Sequence, residues 1–224
     1  CAKCKFEEVA YLILNGELPN KSQLKKFEKQ ERNERKLSNT LIQDIKKFPR
    51  NAHPMDVART AVSIMGLEDK ETKDNSHKAN MRKVMRIFAK TPVALAAFYR
   101  ARKGKKIIPP KKNLSFSENF FNMCFGKVPN KEIVKAFDVS LILYAEHSFN
   151  VSTFTARTIT SSLSDIHGAI TGAIASLKGP LHGGANEEVM HMMNKIKKPE
   201  NALKWINKAL DNKDVVMGFG HRVY

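Results

Sequence analysis

The stretch Gly179-Pro180-Leu181-His182-Gly183-Gly184-Ala185-Asn186-Glu187-Glu188 places a histidine beside two glycines, directly ahead of residues that favour a helix. A second histidine that follows glycine occurs later in the chain, in Gly218-Phe219-Gly220-His221. Glycine has no side chain, so it lets the backbone approach a ligand closely. Two histidines held by glycine-bounded turns indicate acid–base chemistry on a small anionic molecule.

The position of His182 relative to the following helix predicts its protonation state. We expect the helix to begin near Ala185, with His182 just ahead of it. A helix N-terminus carries about half a positive charge, which disfavours a protonated imidazole. A neutral His182 would donate one hydrogen bond, as the stabilisation of an enol oxygen requires. Gly183 and Gly184 would leave the backbone amides open to a ligand. A purely structural role for His182 is the alternative.

Helical periodicity runs through almost the whole chain, so we predict an all-α fold. Asn15-Gly16 is a typical helix stop, Ser38 and Ser76 are typical caps, and Pro54 suits a first turn. Pro92 is expected to break or kink a long helix. The only candidate strand is the short run Val215–Met217. The predicted helices cover about 6–14, 20–36, 38–48, 54–66, 76–103, 117–125, 131–146, 153–164 and 168–176. The helix at 20–36 is rich in charged residues and is expected to be exposed.

Two of these segments have unusual compositions. Thr153–Ser164 combines serine and threonine with apolar residues, and Gly168–Ser176 places small residues four apart. Small residues on one helix face let two helix axes come close. The sequence therefore predicts tight helix packing here, or a subunit interface.

Composition limits the class of protein. The chain has 224 residues, of which 42% are hydrophobic and 27% charged, as in ordinary globular proteins. There is no run of eighteen apolar residues and no charged-then-apolar leader, so neither a membrane span nor a signal peptide is expected. The start at Cys1 and the end at Tyr224 look like cuts through a longer protein.

The formal net charge is +17, carried mainly by dispersed lysines. Such lysines are typical of a solvated surface, and they would attract an anionic substrate. Nucleic-acid binding is the rival interpretation, but no aromatic–basic interleaving or zinc-finger motif accompanies the charge. We therefore expect no nucleic-acid partner.

Three cysteines do not form a disulfide framework, which favours a reducing compartment. Cys1-Ala2-Lys3-Cys4 has the CxxC spacing of a zinc or redox pair. A closed zinc site needs two more ligands, and none follows at a matching spacing. We interpret the pair as ordinary thiols and expect no metal.

The remaining histidines divide by context. His77 and His191 lie among polar residues and are expected at the surface. His53 precedes Pro54 and is expected to cap a helix or to pack in a loop. His167 is open to either a structural or a functional role. His147, in Glu146-His147-Ser148-Phe149-Asn150, is equally open between filling the core and contacting a ligand.

The motif around His147 and Asn150, the stretch 179–188 and the segment 215–224 together resemble the three signature regions of the citrate synthase family, in the same order and at similar spacing. The segments 6–19 and 52–56 resemble early helices of that family. The similarity covers nearly the whole chain. Within the family it is closest to the short-form bacterial and 2-methylcitrate synthase branch.

The resemblance implies a large helical domain, here 1–180, and the start of a smaller one, here 181–224, with the active site in the cleft between them. It implies a homodimer in the cytoplasm. The substrates would be oxaloacetate and an acyl-CoA, with coenzyme A thioester as co-substrate and no permanently bound cofactor. The products would be citrate from acetyl-CoA, in the tricarboxylic acid cycle, or 2-methylcitrate from propionyl-CoA, in propionate catabolism.

The same resemblance implies individual roles. His182 matches the histidine that stabilises the enol of the acyl-CoA. His221 matches the one that hydrogen-bonds the oxaloacetate carbonyl and acts as acid. His147, accompanied by Asn150, matches a ligand of an oxaloacetate carboxylate. The coenzyme A loop matches Val215, Val216, Met217, Gly218, Phe219 and Gly220.

The family's carboxylate base and substrate-binding arginines follow the last of these motifs, beyond Tyr224. We therefore expect residues 1–224 alone to be inactive, because loss of a general base costs about 10²–10⁴-fold in rate. The alternative to an enzyme is a basic helical binding protein that keeps the fold without the activity. The choice between acetyl-CoA and propionyl-CoA stays open at this point.

Overall fold

The computed structural model describes residues 3–220, and these form α-helices joined by loops, with no strand among them. This confirms the all-α prediction. The candidate strand at Val215–Met217 was wrong, because this segment is irregular and the described residues contain no strand with which it could pair. The helices are α1 Phe6–Asn15, α2 Lys21–Glu34, α3 Asn39–Lys47, α4 Pro54–Glu68, α5 His77–Ala101, α6 Phe116–Phe125, α7 Lys131–Tyr144, α8 Val151–Ser161, α9 Ile166–Leu177, α10 Gly184–Ile196 and α11 Ala202–Asp211, with a short 3₁₀ helix at Pro199–Asn201.

The helix ends follow local signals in the sequence. Gly16 ends α1 in the left-handed conformation, with φ of 86°. The Ser38 and Ser76 hydroxyls accept hydrogen bonds from backbone N–H groups three residues on, at 3.0 and 3.3 Å. Pro54 is the first residue of α4. Pro92 does not break its helix, because α5 continues through it for nine more residues.

The long helix α5 is the centre of the core. It packs against α2, α3, α4 and α6. Its alanines at 94, 96 and 97 are almost completely buried, which brings neighbouring helices close to its axis. Phe98 and Met123 fill the space between α5 and α6 and belong to the same apolar cluster as Leu41 and Ala61. Burial of such side chains stabilises a fold by about 1.5–3 kcal/mol each.

Helix α2 is helical as predicted, but one face of it is buried rather than exposed. Phe27 lies in a second apolar cluster, and Glu31 and the following Arg35 have side chains only 1% and 2% exposed. The Arg35 Nη2 lies 2.7 Å from Glu31 Oε2, and its Nη1 donates to the carbonyls of Lys111 and Leu114 at 2.7 and 3.0 Å. The pair therefore ties α2 to the segment before α6. Charge alone could not reveal this, because charged residues usually lie at the surface.

Two buried carboxylates join the starts of helices that are far apart in sequence. Glu7 Oε1 accepts a hydrogen bond from the Phe116 N–H at 2.9 Å, at the first residue of α6. Asp138 on α7 accepts from the Phe6 N–H at 3.1 Å and from the Ser117 hydroxyl at 2.9 Å. Burial raises the pKa of Glu7, and the Phe116 hydrogen bond partly offsets this. Both carboxylates lie at helix N-termini, where negative charge is favoured.

By its internal contacts, the chain divides into two units, Cys1–Ile174 and Ala175–Tyr224. The first contains α1 to α8 and most of α9, and the second contains α10, the 3₁₀ helix and α11. This division falls within α9, six residues before the boundary at 180/181 that the resemblance implied. The domain boundary at 180/181 stays a prediction. Among the described residues, no helix has both the length and the apolar character needed to cross a membrane.

Candidate active site

The turn between α9 and α10 carries His182. The His182 N–H donates to the Gly179 carbonyl at 2.9 Å, and the Gly184 N–H donates to the same oxygen at 3.1 Å. The Ala185 N–H then donates to the His182 carbonyl at 3.1 Å. His182 is half-buried and lies two residues before the first residue of α10, as the sequence predicted. Hydrogen bonds on both sides thus fix the backbone that presents the imidazole.

The structure gives Gly183 and Gly184 a different role from the expected one. A Cβ at Gly183 would lie 2.7 Å from the Leu177 carbonyl oxygen, and one at Gly184 would lie 2.8 Å from the carbonyl oxygens of Lys178 and Gly179. Real Cβ atoms do not approach backbone oxygens this closely, so neither glycine can be replaced without moving the turn. The Gly184 amide is already hydrogen-bonded within the turn. The two glycines therefore let the turn close, and the Gly184 amide is occupied within the turn instead of being open to a ligand.

The segment 215–220, matched to the coenzyme A loop, lies beside α10. Gly218 and Gly220 have φ of 91° and 77°, a conformation that side-chain-bearing residues rarely adopt. A Cβ on Gly218 would lie 3.1 Å from Val189 Cγ2 on α10. Val215 and Phe219 are 80% and 73% exposed, so apolar groups face outward here. The loop and the His182 turn therefore belong to one unit and flank one helix.

His147 lies in the loop between α7 and α8. Its side chain is exposed, and Ser148 next to it has a positive φ of 48°. Asn150 is the N-cap of α8: its Oδ1 accepts from the Thr153 N–H at 2.8 Å and from the Ser152 hydroxyl at 2.6 Å. Asn150 thus has a structural task that the sequence motif did not reveal. Substrate binding by His147 and Asn150 stays a prediction.

His221 lies outside the described residues, so its predicted role as acid stays a prediction, as does the cleft it would share with His182. Cys1 is outside them as well, and Cys4 is a free, half-buried thiol. Within residues 3–220, no group of three or more histidine, cysteine, aspartate or glutamate side chains could hold a metal ion.

Other histidines have clear structural contacts. His53 caps α4, because its Nδ1 accepts from the Met55 N–H at 3.1 Å, which confirms the capping prediction. His191 is exposed, and its Nε2 lies 3.8 Å from Glu187 Oε1 one turn earlier on α10. Neither arrangement points to catalysis.

His167 is a buried member of a polar cluster that sequence reasoning missed. Its ring is 2% exposed and lies 3.5 Å from Asp69 Oδ2. Arg86 donates to Asp69 at 2.8 Å and to Glu71 at 2.7 Å, and Arg82 also pairs with Glu71. These groups, Arg82 apart, are among those that line a cavity of about 430 Å³. The sequence signal was weak, because Asp69 and His167 are 98 positions apart in the chain.

Ionisation in this cluster favours the folded state at neutral pH. Hydrogen bonds from Arg82 and Arg86 lower the pKa of Glu71 from 4.5 to about 2. Burial lowers the pKa of His167 below 6.5, although Asp69 and Asp165 act in the opposite direction. A carboxylate with a lowered pKa stabilises the fold above its unfolded value, and this stabilisation disappears as the pH falls towards the folded value. Protonation of His167 adds a loss that begins below pH 6.5.

We expect Glu71→Gln to reduce the dependence of stability on pH between 4.5 and about 2, because the variant has no carboxyl at this position to protonate. The midpoint of thermal unfolding, measured in steps of pH, checks this. Glu17→Gln is the matched control, since Glu17 is exposed and has no hydrogen bond or ion pair to a described residue. A Glu71→Gln profile parallel to the wild-type one would contradict the expectation.

Residues 3–220 thus form an α-helical protein in which a histidine lies in a closed glycine turn before α10 and a glycine-containing loop lies beside the same helix. The family model described as citrate synthase, C-terminal domain, matches residues 1–224. The chain therefore belongs to the citrate synthase family. This confirms the resemblance drawn from the three motifs.

Curated relatives carry two names. The chain is 51% identical over 223 residues to a protein named citrate synthase from Mycolicibacterium smegmatis, covering 100% of this chain and 59% of that protein. It is 56% identical over 229 residues to 2-methylcitrate synthase 2 from Corynebacterium glutamicum, covering 99% of this chain and 59% of that protein. The chain thus spans less than two thirds of the length of these relatives.

Solved structures share the fold. The citrate synthase from Pyrobaculum aerophilum superimposes with a TM-score of 0.90 at 33% identity, covering 100% of this chain and 58% of that one. The citrate synthase from Thermoplasma acidophilum, in a ternary complex with carboxymethyl coenzyme A and oxaloacetate, matches with the same score, identity and coverage.

Proposed function

We propose that the intact protein carrying this chain condenses an acyl-CoA with oxaloacetate and water, giving citrate or a methylated homologue and free coenzyme A. The observation that carries the proposal is the closed turn at 179–185, which holds His182 ahead of α10 in a member of the citrate synthase family. The named relatives and the ternary complex of the Thermoplasma acidophilum enzyme support the substrate class.

The condensation reaction requires a separate contribution from each motif. The protons next to a thioester carbonyl are weakly acidic, so a base must remove one while a donor stabilises the oxygen that gains charge. In our proposal His182 is that donor. Oriented donors of this kind contribute about 10²–10³-fold in rate. The base is a carboxylate that the motifs of this chain do not identify.

His221 would polarise the oxaloacetate ketone and protonate its oxygen as the new carbon–carbon bond forms. His147 would bind one of the two carboxylates of oxaloacetate, and arginines elsewhere in the protein would bind the rest, because their planar fork matches a carboxylate. The segment 215–220 would contact the adenine of coenzyme A through its backbone. Water then hydrolyses the condensed thioester and releases the thiol.

A homodimer is part of this proposal. Helix α8 has no buried residue, and Val151 and Phe154 on it are 56% and 69% exposed. Phe149 ahead of it is 88% exposed. Contiguous exposed apolar groups usually mark an interface. A cytoplasmic location stays a prediction.

The test is thiol release by the purified intact protein. We expect release of coenzyme A that depends on oxaloacetate, with acetyl-CoA preferred over propionyl-CoA by a factor in the range of about 10–200, which is what one methylene can contribute. A thiol reagent measures it, and assays without oxaloacetate are the control. The reverse preference would assign 2-methylcitrate synthase, which the 56% identical relative supports. No release from either thioester would favour the helical binding protein instead.

A further inference from the structure

A groove with an apolar floor lies on the first unit, and none of the residues that line it belongs to the motifs around His147, His182 and 215–220. It runs between α3, the second half of α5 and the segment 104–110, and it has a volume of about 610 Å³. Leu37, Val93 and Ala97 form its floor and are at most 4% exposed. Ile42 and Ile107 are half-buried beside them. Ligand sites commonly have volumes of about 300–1,000 Å³ and mostly apolar walls, so the groove has the size of a small-molecule site.

The edge of this groove carries positive charge only. Four exposed lysines line it, and no aspartate or glutamate in the described part of the chain does so; the lysines are Lys36, Lys46, Lys105 and Lys106. None of these four ammonium groups makes a hydrogen bond or ion pair with a residue between 3 and 220. A lysine stem can lie along an apolar surface while its charge stays in water. The groove thus offers an apolar channel with unpaired cations at its opening.

This distribution of charge selects the chemistry of the occupant. Among the described residues that line the groove, Asn39 is the only one with a neutral polar side chain, so a nucleobase or a sugar would find few hydrogen-bond partners inside it. An aliphatic chain would pack against the apolar floor, and a single anionic group at its end would be attracted to the lysines at the edge. We propose that the groove binds a medium-chain fatty acid, with its hydrocarbon chain on Leu37, Val93 and Ala97 and its carboxylate among the lysines.

The test uses decanoate and the intact protein, at concentrations below micelle formation, with isothermal titration calorimetry as the readout. We expect a Kd on the order of 10–100 µM, which is reasonable for a ligand of about twelve heavy atoms. Acetate, which has the anion without the chain, should show no detectable binding. Decylamine, which has the chain with the opposite charge, should bind at least about tenfold more weakly, since four unpaired cations oppose it.

Two double variants locate the site. Lys46→Glu with Lys106→Glu reverses the charge at the groove and should weaken decanoate binding about tenfold at low salt, with a smaller effect at high salt. Lys25→Glu with Lys26→Glu makes the same change of net charge on the exposed face of α2, away from the groove, and should leave the Kd unchanged. All four positions are exposed, so both variants should fold, and their thermal unfolding midpoints check this.

Three results would overturn the proposal. Equal weakening by the two double variants would mean that only net charge matters. Equal affinity for decanoate and decylamine would mean that the lysines select nothing. Absence of decanoate binding to the intact protein would mean that another segment of polypeptide or a second copy covers the groove. Because the readout is binding and not turnover, each result is independent of the condensation activity.

Discussion

Replacement of His182 by alanine is expected to lower the turnover of the intact protein about 10²–10³-fold, the usual effect of removing one oriented donor from a developing oxyanion. Oxaloacetate binding should remain largely intact, because His182 is assigned to the acyl-CoA. The imidazole projects from a turn whose backbone amides at 182, 184 and 185 are all hydrogen-bonded, so the backbone at His182 is held in place by the turn itself. Steady-state kinetics and oxaloacetate titration measure the two effects separately.

His191→Ala is the matched control for this experiment. His191 lies on α10, the helix that follows His182, but its side chain is exposed and lies near Glu187. Its removal should change neither turnover nor binding. Turnover near the wild-type value in His182→Ala would show that the assigned role is wrong. An equal loss in both variants would indicate damage to α10 rather than loss of a donor.

Glu31→Ala is expected to lower the free energy of unfolding by about 3–5 kcal/mol, because it leaves the buried Arg35 guanidinium without its counter-charge. Arg35 is 2% exposed and would keep only the carbonyls of Lys111 and Leu114 as partners. Urea unfolding at neutral pH measures the change. Burial raises the pKa of Glu31, so desolvation already weighs against the charged pair, and the Arg35 hydrogen bond counteracts it.

Glu28→Ala is the matched control, since Glu28 pairs with Arg32 on the same helix at the same spacing. That pair is more exposed, at 20% and 26%, and the Arg32 nitrogen lies 3.3 Å from the carboxylate. Partly exposed pairs contribute about 0–1 kcal/mol. Similar losses in the two variants would mean that burial does not distinguish them. Replacing Glu31 and Arg35 together by leucine should recover only part of the loss, because the two carbonyls would then lose their donor.

The elements that the sequence predicted well depend on residues close together in the chain. The glycine stop at 16 and the serine caps at 38 and 76 act within one helical turn, so their effect can be recognised without a tertiary structure. The position of His182 ahead of α10 was predictable for the same reason. The break expected at Pro92 was wrong, since α5 continues through it as one helix, while the kink expected as the alternative stays a prediction.

Features that depend on distant contacts were not predictable. A helical period assigns Glu31 and Arg35 to the solvent, whereas the segment before α6 covers them. His167 meets Asp69 only after α4 and α9 have packed together. At the site, the glycines at 183 and 184 were recognised as necessary, but the reason for them is the nearby carbonyl oxygens at the end of α9, which no sequence pattern reveals.

The carboxylates of Glu7 and Asp138, which join the starts of α1 and α6, also affect the order in which the chain can fold. The Phe6 amide lies 132 residues before its acceptor Asp138, and Glu7 lies 109 residues before its donor Phe116, whereas α2, which follows α1 directly, also packs against α1. Contacts between such distant residues raise the contact order and slow folding. Helix α1 can therefore pack against α2 early, whereas these two hydrogen bonds cannot form until α6 and α7 have been synthesised.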